Sequence, residues 1–233
     1  MKKIAIMQPY IFPYIGYFQL INAVDKFVLY DDVNFINKGW INRNRILLNG
    51  KDYLFTIPCE KASQNKLINE VEVKQEEKAV EKFLKTIKSS YNKAQFFTNV
   101  YEIIEKVFQF DKMLISEFAY KSIYSVMNYL GIEKEIVFSS KEYSNRELKK
   151  ADRLIDICRQ ENCTNYINSI GGKDLYDKKY FEQNGISISF LKTENIEYNQ
   201  FGNPFVPNLS IIDVLMFNDK NTVMKFLNQY TLI

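Results

Sequence analysis

The chain has 233 residues, 46% of them hydrophobic and 25% charged, with a net charge of +3. That balance describes a soluble globular protein and lacks the basic footprint of a nucleic-acid binder. There is no histidine, which excludes Ser-His-Asp and Cys-His nucleophile systems and any histidine-ligated zinc site.

Catalysis by such a chain must rest on carboxylates, lysine, tyrosine, a thiol, or positioning and electrostatics. The three cysteines, Cys59, Cys158 and Cys163, are an odd and sparse set. They fit buried thiols in a reducing cytoplasm better than a disulfide framework. The expected location is cytoplasmic, with no stable membrane insertion. The apolar run after Lys2-Lys3 stops at Gln8-Pro9, too short for a signal core or a membrane span.

In chain order, residues 4–7 read as a buried strand. Pro9 and Pro13 hold a loop. Residues 15–23 read as a helix and 27–30 as a second buried strand. Strand, helix, strand is a βαβ unit and implies a parallel sheet. Asn49-Gly50 between the apolar runs 45–48 and 53–57 signals a hairpin. Residues 59–66 read as a polar loop, and 68–73 as a half-exposed strand. From 75 to 130 the pattern is helical, in three pieces that break near Ser89-Ser90 and Asp111 and stop at Gly131. The α/β rhythm then resumes, with strands at 135–138, 164–167 and 186–190 and helices at 146–160 and 173–183. Residues 203–207 form a rigid loop, and Ser210 caps a last helix through 213–217. The predicted fold is a single α/β domain over 1–233. Its Rossmann-like parallel sheet resembles the nucleotidylyltransferase fold, and a helical lobe at about 75–130 is inserted between the two halves of the sheet.

Parallel sheets bind ligands at the carboxyl ends of their strands. Here those ends are Gln8-Pro9, Asp31-Asp32, Ser139-Ser140 and residues 168–172. Tyr14-Ile15-Gly16-Tyr17 stands where nucleotidylyltransferases carry His-x-Gly-His. Tyrosine donates a hydrogen bond but supplies no positive charge, so ordinary nucleotidyl transfer is not expected. A phosphate at the helix N-terminus is one reading; an aromatic loop closing a core is the other. Asp31-Asp32 can act as a base, hold a cation, or accept an amine or hydroxyl. The alternative is a solvated turn with an N-cap, but placement at the binding edge of the sheet favours a functional role. Lys38 to Arg45 holds the one tryptophan, Trp40. Asn42 and Asn44 share one face if the segment is extended, and Arg43 and Arg45 the other. Arginine grips phosphate and tryptophan stacks on a base or sugar; a surface strand is the alternative. Ser169, Gly171 and Gly172 are small enough to let a phosphate reach backbone amides, or they form an unliganded turn. Cys59 has no visible activating neighbour.

Together, several segments resemble the WbqC-like proteins over nearly the whole chain. They are Met7-Gln8-Pro9, Pro13-Tyr14-Ile15-Gly16-Tyr17-Phe18, Asp31-Asp32-Val33-Asn34-Phe35 and Trp40-Ile41-Asn42-Arg43-Asn44. Tyr166, Gly171 and Pro207-Asn208-Leu209-Ser210-Ile211-Ile212-Asp213 complete the set. Tyr14 departs from the tryptophan expected in many relatives. The resemblance implies bacterial O-antigen and related surface-glycan synthesis; it supplies no catalytic residue list. The expected activity is transfer of an acyl or aminoacyl group to a nucleotide-linked amino sugar. Asp31 or Asp32 would take the proton from the amine. Substrate would be held by Gln8, Tyr14, Gly16, Tyr17, Lys38, Trp40, Asn42, Arg43, Asn44, Ser169, Gly171, Gly172 and Ser210. No metal ligands are assigned. The alternative is a non-catalytic sugar-nucleotide-binding module derived from a degenerate nucleotidylyltransferase. A glycosyltransferase ranks lower, because its acidic pair would come too early in the chain. The expected partners are a small nucleotide-sugar and an activated acyl or aminoacyl donor, with no nucleic acid; a homo-oligomer is left open.

Overall fold

The computed structural model describes residues 2–74 and 76–233. Gln75, where the helical reading of 75–130 begins, and Met1 lie outside the described residues. The chain opens with β1 (Lys3–Met7), α1 (Ile15–Ala23) and β2 (Lys26–Leu29). A hairpin, β3 (Arg43–Leu48) and β4 (Lys51–Thr56), and a short pair, β5 (Cys59–Glu60) and β6 (Glu72–Val73), follow. Three helices come next: α2 (Glu77–Tyr91), α3 (Phe97–Val107) and α4 (Ile115–Leu130). The chain continues through β7 (Glu135–Val137), α5 (Lys150–Gln160), β8 (Asn165–Ser169), α6 (Lys178–Gln183) and β9 (Ser187–Thr193). It closes with α7 (Ile211–Phe217), α8 (Lys220–Phe226) and β10 (Tyr230–Leu232).

The central sheet has the order β10-β9-β8-β1-β2-β7. Neighbours are parallel except β10, which runs antiparallel to β9. The chain therefore steps outward from β1 to β2 and β7, then returns to lay β8 and β9 on the other side. The reversal between β1 and β8 is the topological switch point, and the crevice outside their carboxyl ends is where such sheets take ligands.

Both faces of this sheet are covered, so its inner strands bury apolar side chains on both sides rather than on one. Alternation survives as a choice of core. Ala5, Phe27, Leu29, Ile167 and Leu191 pack into one apolar cluster with α1 and the helices α2–α4. Ile4, Ile6, Val28, Tyr166, Ile188 and Phe190 pack into the other, against α5 and Phe181 of α6. The helical lobe lies within the β2-to-β7 connection and is tied to the rest. Phe96 N–H donates to the Met216 carbonyl (3.2 Å) and Val73 N–H to that of Met113 (2.9 Å).

Several local expectations change. Residues 68–73 do not form one strand. Glu70 accepts from the Leu67 N–H (3.0 Å) and closes a 3-10 turn at Ile68–Glu70 before β6. The segment read as a loop at 59–66 starts with β5. Helix α5 begins at Lys150 rather than Arg146. Asn145 donates to Asp156 (2.7 Å) and accepts from Arg153 Nε (3.0 Å), which folds the preceding segment back over the helix. Residues 170–175 form a 3-10 turn, and α6 starts only at Lys178. The helix capped by Ser210 is followed by α8 and β10, so it is not the last element.

Candidate functional site

The loop after β1 is built around a strained residue. Phe12 has φ of 38°, a conformation disfavoured for any side chain but glycine. Three elements hold it there. The Phe12 N–H donates to Ser122 Oγ of α4 (2.9 Å). Its carbonyl accepts from Asn44 Nδ2 of β3 (2.7 Å) and from Ser210 Oγ (2.7 Å). Asn44 Nδ2 also reaches the Ile11 carbonyl (3.1 Å), while its Oδ1 accepts from the Arg45 N–H (2.8 Å). Ser210 Oγ accepts from the Ile212 N–H (3.3 Å) and so caps α7. Asn44 and Ser210, expected as substrate contacts, spend their polar atoms on fixing this loop.

The same holds for the tyrosine and glycine of the 14–17 motif. Tyr17 is buried, its hydroxyl donates to the Gln8 carbonyl (3.0 Å), and burial pushes that hydroxyl well above its ordinary titration range. At Gly16 an added Cβ would sit 2.3 Å from the Tyr14 ring and 2.8 Å from Thr193 Oγ1. Only glycine lets the Tyr14 ring lie this close to the start of α1.

A cavity of about 620 Å³ opens over the carboxyl ends of β1, β8 and β9, at the switch point. Tyr14, Trp40, Asn44, Ser169 and Gly171 from the expected ligand set line it. Tyr10, Lys192, Thr193 and Asn208 line it as well; Tyr10 and Asn208 stand in segments that sequence reasoning picked out, but none of the four was assigned to the site. Trp40 is 41% exposed, with the guanidinium carbons of Arg43 and Arg45 at 5.9 and 5.2 Å from its ring centre. An aromatic face and cations thus meet at one rim. The remaining expected residues lie outside the lining. Asn42 donates to the Ile57 carbonyl (2.8 Å) and braces the hairpin. Lys38 is exposed in a left-handed turn with φ of 59°. Gly172 is buried where a Cβ would come within 2.6 Å of Asn168 Nδ2. Gln8 is half-buried at the end of β1.

Asp31 and Asp32 face a different cavity, of about 320 Å³, beyond β2 and β7. The two carboxylates are buried but not equivalent. Asp32 accepts from the Arg153 guanidinium at 2.6 and 2.7 Å, and from Ser140 Oγ. Arg153 is itself buried, and its guanidinium carbon lies 4.8 Å from the Tyr30 ring centre. Asp31 accepts from Ser139 Oγ (2.6 Å), and among the described residues it makes no ion pair. Burial, reinforced by the charge of Asp32, raises its carboxyl to about 6. A carboxylate at that value accepts a proton readily near neutral pH.

A third cavity, of about 310 Å³, adjoins the central one and shares Tyr14, Thr193 and Asn208 with it. Its wall includes Tyr198, which Asp213 holds in place. Asp213 is fully buried and accepts from the hydroxyls of Tyr198 (2.6 Å) and Tyr91 (2.8 Å) and from Gln200 Nε2 (2.7 Å). Burial raises the Asp213 carboxyl despite those three donors. Burial also raises the Cys59 thiol to about 11, so it is not a standing thiolate. Among the described residues no group of three or more Cys, Asp or Glu side chains is placed to hold a metal ion.

The comparisons bear on the whole of this arrangement. No solved structure matches the chain. No helix among the described residues is long and apolar enough to cross a membrane. The chain is 27% identical over 221 residues to "Uncharacterized protein Rv1507c" of Mycobacterium tuberculosis (strain ATCC 25618 / H37Rv), an alignment covering 94% of each. The profile of the WbqC-like protein family matches residues 8–225, from the strained loop through the acidic pair to α8. With all three cavities built almost wholly from residues inside that match, the chain belongs to the WbqC-like protein family.

Proposed function

We propose that this protein transfers an activated acyl or aminoacyl group to the amine of a nucleotide-linked sugar, in the synthesis of a bacterial surface polysaccharide such as O-antigen. The observation that carries the reading is the inequality of the acidic pair. Asp32 is committed to its ion pair with Arg153, which leaves Asp31, raised to about 6, as the proton acceptor. Asp32 acts as a positioning residue whose charge helps to hold Asp31 at that value. Ser139 orients the Asp31 carboxylate through its hydrogen bond.

The central cavity supports the ligand class. Trp40 and Tyr14 offer faces for a sugar, and Lys192 with the Arg43–Arg45 rim supplies cations for a diphosphate. The strand order is that of Rossmann-like nucleotide-binding sheets, read as 3-2-1-4-5-6 from β7 to β10. β1 and β2 are neighbours, and the Tyr30 N–H donates to the Met7 carbonyl (2.8 Å). The reading requires a sugar held beside Met7 to extend its amine along the sheet edge, out of the central cavity and into the separate cavity that Asp31 lines. In the reaction the amine nitrogen attacks the acyl carbonyl, a C–N bond forms, and the bond to the leaving group breaks. The amine proton passes to Asp31 and then to the departing group.

A second reading, binding without turnover, draws on Tyr17. Its hydroxyl is engaged with Gln8 and cannot serve the phosphates as the histidine of a nucleotidylyltransferase does. One experiment separates the two. The protein is incubated with UDP-, dTDP- and GDP-linked amino sugars, with acetyl-coenzyme A or with ATP and amino acids, and products are read by mass. The transferase reading expects a product carrying the added acyl mass, lost in Asp31→Asn while ligand binding persists. Binding without any product, or full turnover by Asp31→Asn, contradicts it.

A further inference from the structure

We propose that the nucleoside end of the ligand lies in the third cavity, so that the central and third cavities form one divided cleft. This rests on the nucleotide-linked sugar proposed above and adds where the base is read. Three features of the cleft carry it. The two cavities share the walls Tyr14, Thr193 and Asn208, so a single elongated ligand passes from one to the other. Their chemistry differs in the order a sugar nucleotide requires. The central cavity has Lys192 in its lining and two arginines at its tryptophan rim. The third has no cationic side chain in its lining and is walled by Ile196, Tyr198 and Phe205. An anionic middle therefore belongs beside Lys192, and a flat, uncharged, aromatic end belongs beside Phe205.

The third observation is that the aromatic wall is rigid. The Tyr198 hydroxyl is bonded to the buried Asp213, and the Phe205 ring packs edge-on against Tyr198 at 5.1 Å. A ring fixed this way presents a face for stacking at little further entropic cost. Exposed Glu194 and Asn195 line the same cavity. A carboxylate accepts N–H donors and an amide both donates and accepts, which is what the edge of a nucleobase needs. The sugar then lies on the other side of the shared wall, beneath Trp40.

Trp40, the one tryptophan, gives the readout, because its fluorescence reports on the central cavity. The ligands are UDP-, dTDP- and GDP-linked amino sugars, the free nucleoside diphosphates, and glucosamine 1-phosphate. Phe205→Ala should weaken nucleotide-linked sugars and free diphosphates about tenfold, the loss of one base–aromatic contact. It should leave glucosamine 1-phosphate within about twofold. Glu194→Gln, an exposed change that spares the fold, should alter the ranking of the free diphosphates. Equal loss for the sugar phosphate, no loss for the diphosphates, or an unchanged ranking overturns the division of the cleft while the proposed function stands. Failure of every nucleotide-linked sugar to bind the wild-type protein overturns both.

Discussion

Asp31 and Asp32 are adjacent, share a residue type and are both buried, yet their environments pull them apart. The sequence placed them together at the end of a strand. What distinguishes them is Arg153, 121 positions further on, a pairing that no local pattern announces. The difference has opposite consequences for stability. Removing the charge of Asp32 strands a buried guanidinium, so Asp32→Asn should cost about 3–5 kcal/mol. Asp31 behaves the other way. Its carboxyl rises from an ordinary 3.8 to about 6 on folding, so the folded state binds its proton more tightly than the unfolded chain does. Its contribution is fully present below the ordinary value and is lost as pH rises through about 6. Asp31→Asn should therefore be as stable as the wild type or more so at pH 8, with its relative advantage shrinking toward pH 4. Urea unfolding at both pH values measures this; a large loss for Asp31→Asn at pH 8 contradicts the assignment.

At the level of elements, much was legible where local chemistry decides the outcome. Helix α1 spans Ile15–Ala23 as expected. Asn49-Gly50 forms the hairpin turn, with φ of 52° and 72°, as primed turns require. Gly131 ends α4 in the left-handed conformation, with φ of 72°. Elements whose bounds hang on single side-chain hydrogen bonds were less legible, as in the late start of α5 and the 3-10 turn at Ile68–Glu70, and so were α8 and β10 beyond Phe217. The loop around Phe12 is the extreme case, since its conformation depends on β3, α4 and the cap of α7 at once. Asn44→Ala leaves the Ile11 and Phe12 carbonyls short of a donor and should cost about 2–3 kcal/mol. Gly16→Ala tests the same region without removing a hydrogen bond. Its Cβ must displace the Tyr14 ring, so ligand affinity should fall more steeply than thermal stability. A Gly16→Ala protein with wild-type affinity would show that Tyr14 is no part of the binding wall.

For the whole molecule, the sequence indicated which strand ends carry polar and small residues, and the sheet order explains why they converge. Gln8, Asp31, Ser139 and Ser169 come from strands on both sides of the switch point and face one edge. What the sequence did not reveal is the partition of that edge. Asp31 and Asp32 face one cavity and Trp40 another, with no lining residue in common. Lys192 and Thr193 were missed because nothing in their own segment marks them, and Asn208, though within the 207–213 segment, was not assigned to the site. Lys192 is a charged residue in an edge-side strand, and Asn208 reaches the cleft only through a loop with φ of 57°.

We propose that the switch-point cavity binds a nucleotide-linked amino sugar. The most direct measurement is a thermal-shift titration of the purified protein with UDP-, dTDP- and GDP-linked amino sugars, their amine-free counterparts, ATP and coenzyme A. A ligand that binds only the folded state raises the melting temperature by mass action, by about 2.7 kcal/mol of stability at a hundredfold excess over Kd. Selective stabilisation by an amino-sugar nucleotide, abolished in Trp40→Ala, is the expected result. Stabilisation by ATP alone, or by none of these ligands, would contradict it.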